Sequence, residues 1–242
     1  MILGNKAFQC KCYGETLPKL GCAKHEHVNI LILNFLLEVF YGPLMWLKQI
    51  QRMAELAQIQ YKHHPLFVIA IDGCGGAGKS TLCQVLKQEI EPWAHTQVLK
   101  LDDFYCPLTK LQQQNLHNNH ARDAYFNATE FKDNILQPLS KGIKASYKPV
   151  HWLDGQSDEC IELLPKGVLI IDGVFSFSEA LRDMIHLSLF VETPTLLRKQ
   201  RMLARPQQDV GWVDHWQSTE SWHHQHESTA DEVECVVRGD QA

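Results

Sequence analysis

The sequence has no strong excess of charge of either sign. Its 242 residues include 23 Lys and Arg against 28 Asp and Glu, which leaves a formal net charge of −5. A mildly acidic chain of this kind gives no reason to expect a nucleic-acid partner, and we predict none. Hydrophobic residues make up 45% of the chain, which is enough for a substantial core. The length predicts one domain of ordinary size plus an extension.

The sequence also lacks the cysteine spacing of a disulfide framework. It contains eight cysteines, but those from Cys74 to Cys235 are scattered, which indicates free thiols and a cytoplasmic location. The other three lie near the start of the chain beside two histidines, in an order that fits no established zinc motif. These residues are Cys10, Cys12, Cys22, His25 and His27.

No uninterrupted membrane-spanning run stands near the start of the chain. The stretch 28–47 is long enough to cross a bilayer, but Asn29, Asn34 and Glu38 interrupt it and Gly42–Pro43 breaks it. It comes too late for a signal peptide and lacks a clear small-residue cleavage site. Membrane contact through 28–47 is therefore an alternative that we do not favour.

The domain boundary is predicted just after this stretch. Residues 1–44 form an extension of uncertain structure, which is either poorly ordered or absent from the native product, with Met45 or Met53 as the start. Apolar residues at near-helical spacing predict a helix over 45–61. We expect this helix to pack against the first strand of a domain that covers 45–242.

The stretch VIAIDGCGGAGKST, residues 68–81, changes abruptly from apolar residues to glycines. The run 66–71 predicts a buried strand, and apolar residues at helical spacing over 79–90 predict a helix. A strand, a glycine-rich loop and a helix are the context in which G-x-x-x-x-G-K-[ST] binds nucleoside triphosphate. Lys79 would reach the β- and γ-phosphates, and the Ser80 hydroxyl would ligate Mg²⁺. The predicted ATP-binding residues are Gly73, Cys74, Gly75, Gly76, Ala77, Gly78, Lys79, Ser80 and Thr81.

Acidic residues end this strand and two further predicted strands. Asp72 ends the first, and Asp102 and Asp172 follow the apolar runs 98–101 and 167–171. Ligands of open α/β sheets bind outside the carboxyl ends of the strands, so these side chains should face one crevice. We interpret Asp72 as turn chemistry. Because Mg²⁺ at a phosphate site needs carboxylates close by, Asp102 and Asp172 are predicted to join Ser80 in holding the ion.

The residues LDDFY at 101–105, with the glycine loop upstream and IIDGVFSF at 170–177 downstream, resemble the uridine kinase group of P-loop kinases. That group includes phosphoribulokinase and the ribosylnicotinamide and pantothenate kinases. The resemblance covers the chain from about Met45 onward. It implies that Asp102 is the general base for the acceptor hydroxyl and also touches Mg²⁺. It further implies that Asp172 stands where the family usually has a glutamate of the magnesium shell.

The same resemblance implies an α/β fold, a P-loop NTPase three-layer sandwich of the nucleoside-kinase kind with a helical lid. We expect a mainly parallel sheet of about five strands with helices on both faces. The lid would come from LLRKQRMLAR, in which Arg198, Arg201 and Arg205 are spaced to share one helical face. Arg201 and Arg205 are predicted to grip phosphates during catalysis together with Lys79. A solvated basic face is the alternative interpretation.

The acceptor site is the least defined part of the resemblance. The stretch ASYKPVHWLDG is similar to the family segment that contacts base and sugar, which would put Tyr147 and His151 near the acceptor. Its spacing is one residue short, and an ordinary surface loop is the alternative. The sugar-binding aspartate of the family has no clean counterpart, and Asp123 or Thr129 is offered in its place.

The stretch 211–227 is rich in aromatic residues and histidines. We predict that its tryptophans pack in the core, and nothing in the spacing of its histidines demands a metal. The residues are Trp212, Trp216, Trp222, His215, His223, His224 and His226.

The sequence therefore predicts an ATP- and Mg²⁺-dependent kinase of a small hydroxylated metabolite, with a nucleoside such as uridine as the leading acceptor. Other acceptors, namely ribosylnicotinamide, pantothenate or a sugar phosphate, remain open. A nucleotide-binding regulator that hydrolyses ATP slowly, without an acceptor, is an alternative of a different class.

Overall fold

A computed structural model describes residues 42–106, 118–151, 155–206, 209–227 and 232–240. The group of cysteines and histidines at 10–27 lies outside these residues, and so does most of the stretch 28–47. The predictions made for them therefore stay predictions. None of the helices in the described ranges is long and apolar enough to cross a bilayer.

The described strands form one main sheet and two small ribbons. The strands of the main sheet are β1 (Leu66–Asp72), β2 (Thr96–Lys100), β7 (Gly167–Asp172), β8 (Leu187–Glu192) and β9 (Cys235–Arg238). The ribbons consist of β3 (Ala145–Tyr147) with β6 (Ile161–Leu163) and of β4 (Val150–His151) with β5 (Gly155–Gln156), and both are antiparallel. The order in the main sheet is β2-β7-β1-β8-β9, and every pair of neighbours runs parallel. The predicted parallel sheet is thus confirmed.

Helices and short turns connect these strands. The helices are α1 (Gly42–Tyr61), α2 (Lys79–Ile90), α3 (Asn118–Tyr125), α4 (Ala128–Phe131), α5 (Gln137–Ser140), α6 (Thr195–Leu203) and α7 (Val210–His226). A π-helical turn, Lys132–Leu136, joins α4 to α5, and 3-10 turns cover Leu101–Phe104 and Arg182–Met184.

Buried side chains on both faces of the sheet give the molecule three layers. On one face, Ile69 and Ile71 of β1 pack in a cluster that includes residues of α1 and α2. On the other face, Val68 packs in a second cluster that includes residues of α4, α5 and α7. Because successive side chains of a strand point to opposite faces, the continuous apolar run of β1 supplies both clusters. The predicted three-layer α/β fold is confirmed.

Most predicted elements begin and end where the sequence pattern placed them. β1 extends the predicted strand by one residue, and α2 matches the predicted helix over 79–90. The second strand differs, because it covers Thr96–Lys100 rather than 98–101. Leu101 is buried, but it already belongs to the 3-10 turn that carries Asp102.

Candidate active site

Three adjacent strands end at the same edge of the sheet. Asp172, the last residue of β7, is in register with Ile71 of β1 on one side and with Lys100 of β2 on the other. The residues that follow these three strands therefore lie next to one another. This is the edge at which open α/β sheets bind ligands.

The glycine-rich loop connects β1 to the N-terminus of α2. Gly78 precedes the helix with φ at +105°, a left-handed conformation that favours glycine. The Lys79 amine folds back and donates hydrogen bonds to the carbonyl oxygens of Gly73 at 2.7 Å and Cys74 at 3.0 Å. The loop therefore adopts a closed turn at a helix N-terminus, the arrangement that binds phosphate groups.

Close packing between two turns brings the predicted carboxylates together. A Cβ atom on Gly173 would lie 2.4 Å from the Cβ of Leu101, so only glycine lets the two turns approach this closely. As a result, Asp102 in the 3-10 turn and Asp172 at the end of β7 line the same cavity.

That cavity has a volume of about 700 Å³ and is lined by most of the predicted site residues. The Ser80 hydroxyl and the carboxylates of Asp102 and Asp172 open into it, and oxygen atoms of these types are the ligands that Mg²⁺ prefers. The donor set therefore fits a magnesium nucleotide. Residues of the loop, the strand ends and α6 line the cavity: Gly75, Gly76, Ala77, Gly78, Lys79, Ser80, Thr81, Lys100, Asp102, Asp172, Arg201 and Arg205.

Asp102 lies in an unusual electrostatic environment. Its side chain is open to the cavity, but protein surrounds it on most sides, and this desolvation raises the pKa of its carboxyl group. The Lys79 ammonium opposes the shift, whereas the carboxylate of Asp172 adds to it. A raised pKa makes a carboxylate a better proton acceptor.

The three arginines of the predicted lid lie in different environments. Arg198 is buried, and its Nε donates to the Thr193 carbonyl oxygen at 3.0 Å. Arg201 lines the cavity, and its Nη1 donates to the carbonyl oxygens of Gly76 at 3.3 Å and Gly239 at 3.1 Å. Arg205 is exposed, lines the cavity and follows the end of α6 at Leu203. The helix is thus too short to carry all three on one face, and Arg198 does not line the cavity.

A buried glutamate that the sequence did not reveal binds a backbone amide of the glycine-rich loop. Glu220 of α7 is fully buried, and its Oε1 accepts a hydrogen bond of 2.5 Å from the Gly75 amide. Its Oε2 lies 3.7 Å from Nη1 of Arg198. Burial raises the pKa of Glu220 to about 7, although Lys79, the Gly75 amide and Arg198 act against this rise. No local pattern reveals this residue, because its partner is 145 positions away in the chain.

Aromatic side chains form part of the wall near Asp102. Tyr105, Trp212 and Trp216 line the cavity, and the Tyr105 hydroxyl donates to the Val174 carbonyl oxygen at 2.8 Å. The centroids of the Tyr105 and Trp216 rings are 5.7 Å apart. Trp216 also belongs to a core cluster, as predicted. Trp212 and Trp216 thus pack in or against the core and also face the cavity.

The residues predicted to bind the acceptor are not among the described residues that line the cavity. The Tyr147 hydroxyl donates to Oδ2 of Asp103, which lines the cavity, at 3.2 Å. His151 ends β4 directly after Val150, another cavity residue, but the structure describes only the backbone of His151. Asp123 is exposed, pairs with its neighbour Arg122, and is not among the described residues that line the cavity.

A model of the phosphoribulokinase/uridine kinase family matches residues 68–231, which is more than half of the chain. The chain belongs to this family. The matched region contains the glycine loop, the cavity carboxylates Asp102 and Asp172, and the arginines Arg201 and Arg205. The resemblance found in the sequence is therefore confirmed.

Individual relatives give a consistent picture. The chain is 30% identical over 149 residues to a uridine kinase of Staphylococcus aureus, covering 60% of this chain and 70% of the relative. It is 27% identical over 150 residues to uridine-cytidine kinase B of Dictyostelium discoideum. That match spans 60% of this chain and 60% of the relative.

A solved structure shares the fold. The protein is described as a possible uridine kinase from Bacillus stearothermophilus, and the comparison gives a TM-score of 0.62 at 16% sequence identity. The match covers 78% of this chain and 97% of the other. The likeness concerns the fold alone.

Proposed function

We propose that this protein is an ATP- and Mg²⁺-dependent kinase that transfers the γ-phosphoryl group of ATP to a hydroxyl of a nucleoside, with uridine as the leading acceptor. The observation that carries the proposal is the single cavity shared by the glycine loop and by Asp102 and Asp172. Family membership and the names of the relatives at up to 30% identity support the same activity.

The chain supplies the positive charge that phosphoryl transfer needs. In the transition state, negative charge spreads over the oxygens of the transferred group, so positioned cations lower the barrier. Lys79, Arg201 and Arg205 all line the cavity. Bound Mg²⁺, held through Ser80, Asp102 and Asp172, would add further positive charge at the phosphate oxygens.

Asp102 is the proposed general base. It lies in the 3-10 turn that follows β2 and lines the same cavity as the glycine loop, and desolvation raises its pKa. Its carboxylate would accept the proton from the acceptor hydroxyl as that oxygen attacks the γ-phosphorus. Arg201 and Arg205 would close over the phosphates and exclude water, which otherwise competes as the acceptor.

The walls of the cavity favour an acceptor with a flat ring and hydroxyl groups. Trp212 and Tyr105 offer aromatic surface for a planar base, while Asp103 offers a carboxylate that can accept hydrogen bonds from sugar hydroxyls. Tyr147 would orient Asp103 through their hydrogen bond. This combination suits a nucleoside better than pantothenate or a sugar phosphate, which have no aromatic ring.

A coupled assay of ADP release tests the activity and the acceptor together. The panel contains uridine, cytidine, other nucleosides, ribosylnicotinamide, pantothenate and ribulose 5-phosphate, each with ATP and Mg²⁺. We expect a nucleoside to raise ADP release well above the rate without acceptor. A flat response across the panel, with ATP still bound, would contradict the kinase proposal and favour a nucleotide-binding regulator.

The Asp102→Asn variant tests the role of the base. Removing the proton acceptor should lower kcat by about 100-fold or more, with ATP binding nearly intact. The matched control is Asp103→Asn, which changes the neighbouring carboxylate and should act mainly on the KM for the acceptor. A normal kcat in Asp102→Asn would show that another group accepts the proton.

A further inference from the structure

A second polar cluster lies where α7 packs against the end of β1, and none of its residues lines the active-site cavity. It consists of Asp72, His223 and His224. The side chain of Asp72 is fully buried on the face of the sheet that carries Val68. It accepts hydrogen bonds from the amides of Gly73 at 2.6 Å, Phe177 at 2.9 Å and Phe175 at 3.3 Å. The bond from Gly73 is a local turn contact, as the sequence interpretation expects, but the other two join Asp72 to a segment more than a hundred positions away.

The distances between the three side chains are longer than hydrogen bonds. Nε2 of His223 lies 3.9 Å from Oδ2 of Asp72, and Nε2 of His224 lies 4.0 Å from Oδ1. One ligand atom from each residue lies within 4.8 Å of the other two. In a tetrahedral zinc site with bonds of about 2.0–2.2 Å, ligand atoms are roughly 3.5 Å apart. The cluster is therefore slightly wider than a filled zinc site.

His223 is the residue that most needs a partner. Its side chain is fully buried, and neither of its ring nitrogens has a hydrogen-bond partner among the described residues. Leaving a buried polar group without a hydrogen-bond partner destabilises the folded state. A metal ion bound between Nε2 and Asp72 would satisfy this nitrogen.

The other ring nitrogen of His223 faces a second carboxylate. Oε2 of Glu227 lies 3.8 Å from Nδ1, and Glu227 is itself held by an ion pair with Arg122. Metal-binding histidines usually donate their second ring N–H to a carboxylate or carbonyl group, which fixes the tautomer and strengthens the ligand. Glu227 is in position to do this after a small contraction of the site.

The cluster also has an opening to solvent. The side chain of His224 is 11% exposed, whereas those of His223 and Asp72 are fully buried. An ion could enter beside His224, and a water molecule could complete the coordination from that side. Two imidazole nitrogens and one carboxylate oxygen suit Zn²⁺ better than Mg²⁺, which prefers oxygen ligands alone.

We propose that Asp72, His223 and His224 bind a divalent transition-metal ion of the zinc class, at a site separate from the magnesium nucleotide site. The ion would fasten α7 to the residue from which the glycine loop starts. The competing arrangement is a metal-free one, in which no ion lies between His223 and Asp72.

Zinc binding to the full chain tests the proposal. Cysteine thiols near the start of the chain could take up zinc without forming a defined site, so the background carries Cys10→Ser, Cys12→Ser and Cys22→Ser. Affinity is measured by competition with a chromophoric chelator, with excess Mg²⁺ present to fill sites made of oxygen atoms. We expect one zinc ion per chain.

The histidine variants then locate the ion. His223→Gln and His224→Gln should each weaken zinc binding by about 100-fold or more, because each removes a direct ligand. The matched control is His226→Gln, which changes an exposed histidine of the same helix and should leave the affinity unchanged. Equal affinity in all three variants would overturn the proposal.

X-ray absorption of the zinc-loaded background protein identifies the zinc ligands directly, so the test does not depend on whether the histidine variants fold. The spectrum of the background protein should show two imidazole ligands with oxygen ligands and no sulfur. Zinc coordinated by sulfur, or no zinc bound at all, would overturn the proposal.

Discussion

At the residue scale, the structure links the phosphate-binding loop to a titratable group. Glu220 holds the Gly75 amide from within the core, and burial raises the pKa of its carboxyl group to about 7. The groups that face it are Lys79 of α2, Arg198 of α6 and the Cys74 thiol. The same burial raises the pKa of Cys74 to about 12, so the thiol is neutral and Glu220 is the group that titrates here.

This arrangement predicts a pH-dependent stability that a glutamine at position 220 would remove. Because the pKa of Glu220 rises on folding from 4.5 to about 7, the native state binds the proton more tightly than the unfolded state. The resulting stability is fully present below about pH 4.5 and is lost as the pH rises to about 7. Relative to Glu220→Gln, the wild-type free energy of unfolding should fall by about 3 kcal/mol over this range.

Urea unfolding at several pH values measures the effect. The control is Glu91→Gln, which removes a surface carboxylate that pairs with Lys87 and should leave the pH profile of the wild type unchanged. If the Glu220→Gln and wild-type profiles run parallel, Glu220 does not change its protonation on folding.

At the element scale, α1 is the clearest addition to the region that defines the family. The family model begins at residue 68, but Ile50 and Ala57 of α1 are fully buried against the sheet. They share a core cluster with Phe67 and Leu86. We therefore propose that α1, which spans the predicted boundary at residue 45, is part of the folded domain.

Two isoleucines on α1 test this proposal. Ile50→Ala should lower the free energy of unfolding by about 2–5 kcal/mol, because it leaves a cavity in a packed core. Ile59 is 62% exposed, so Ile59→Ala should cost no more than about 0.5 kcal/mol. Chemical denaturation of both variants gives the comparison. Equal, small losses would mean that α1 adds nothing to the stability of the domain.

Elements that depend on neighbouring residues can be predicted from the sequence, whereas contacts between distant elements cannot. The strand, loop and helix around Lys79 follow from local spacing, because each depends on residues that are neighbours in the chain. The roles of α7 could not be predicted, because the contacts of Glu220 and His223 join residues more than a hundred positions apart. The prediction that the lid arginines share one helical face is wrong, because α6 ends before Arg205.

At the scale of the whole molecule, nucleotide binding should stabilise the entire domain. The cavity is built at the ends of β1, β2 and β7, which are three neighbouring strands of the sheet. A ligand that binds only the folded state at 100 times its Kd stabilises that state by about 2.7 kcal/mol. Since unfolding would release the nucleotide, Mg²⁺ and a non-hydrolysable ATP analogue should raise Tm.

The Lys79→Met variant should abolish this rise in Tm, because it removes the ammonium group predicted to contact the β- and γ-phosphates. Its control is Lys62→Met, which removes an exposed charge in the turn after α1 and should keep the full rise. Thermal unfolding with and without the nucleotide measures both. A rise of the same size in Lys79→Met would contradict the predicted contact.

The two antiparallel ribbons lie apart from the main sheet, and they carry Tyr147 and Val150. The phosphate-binding parts, by contrast, belong to the strand ends of the sheet itself. Under the proposed function, we expect substitutions in the ribbons to alter which molecule receives the phosphate without disturbing the residues proposed to bind ATP. Under the proposed function, the fold thus keeps the residues for phosphate transfer apart from those for acceptor recognition, so that the two sets can change independently.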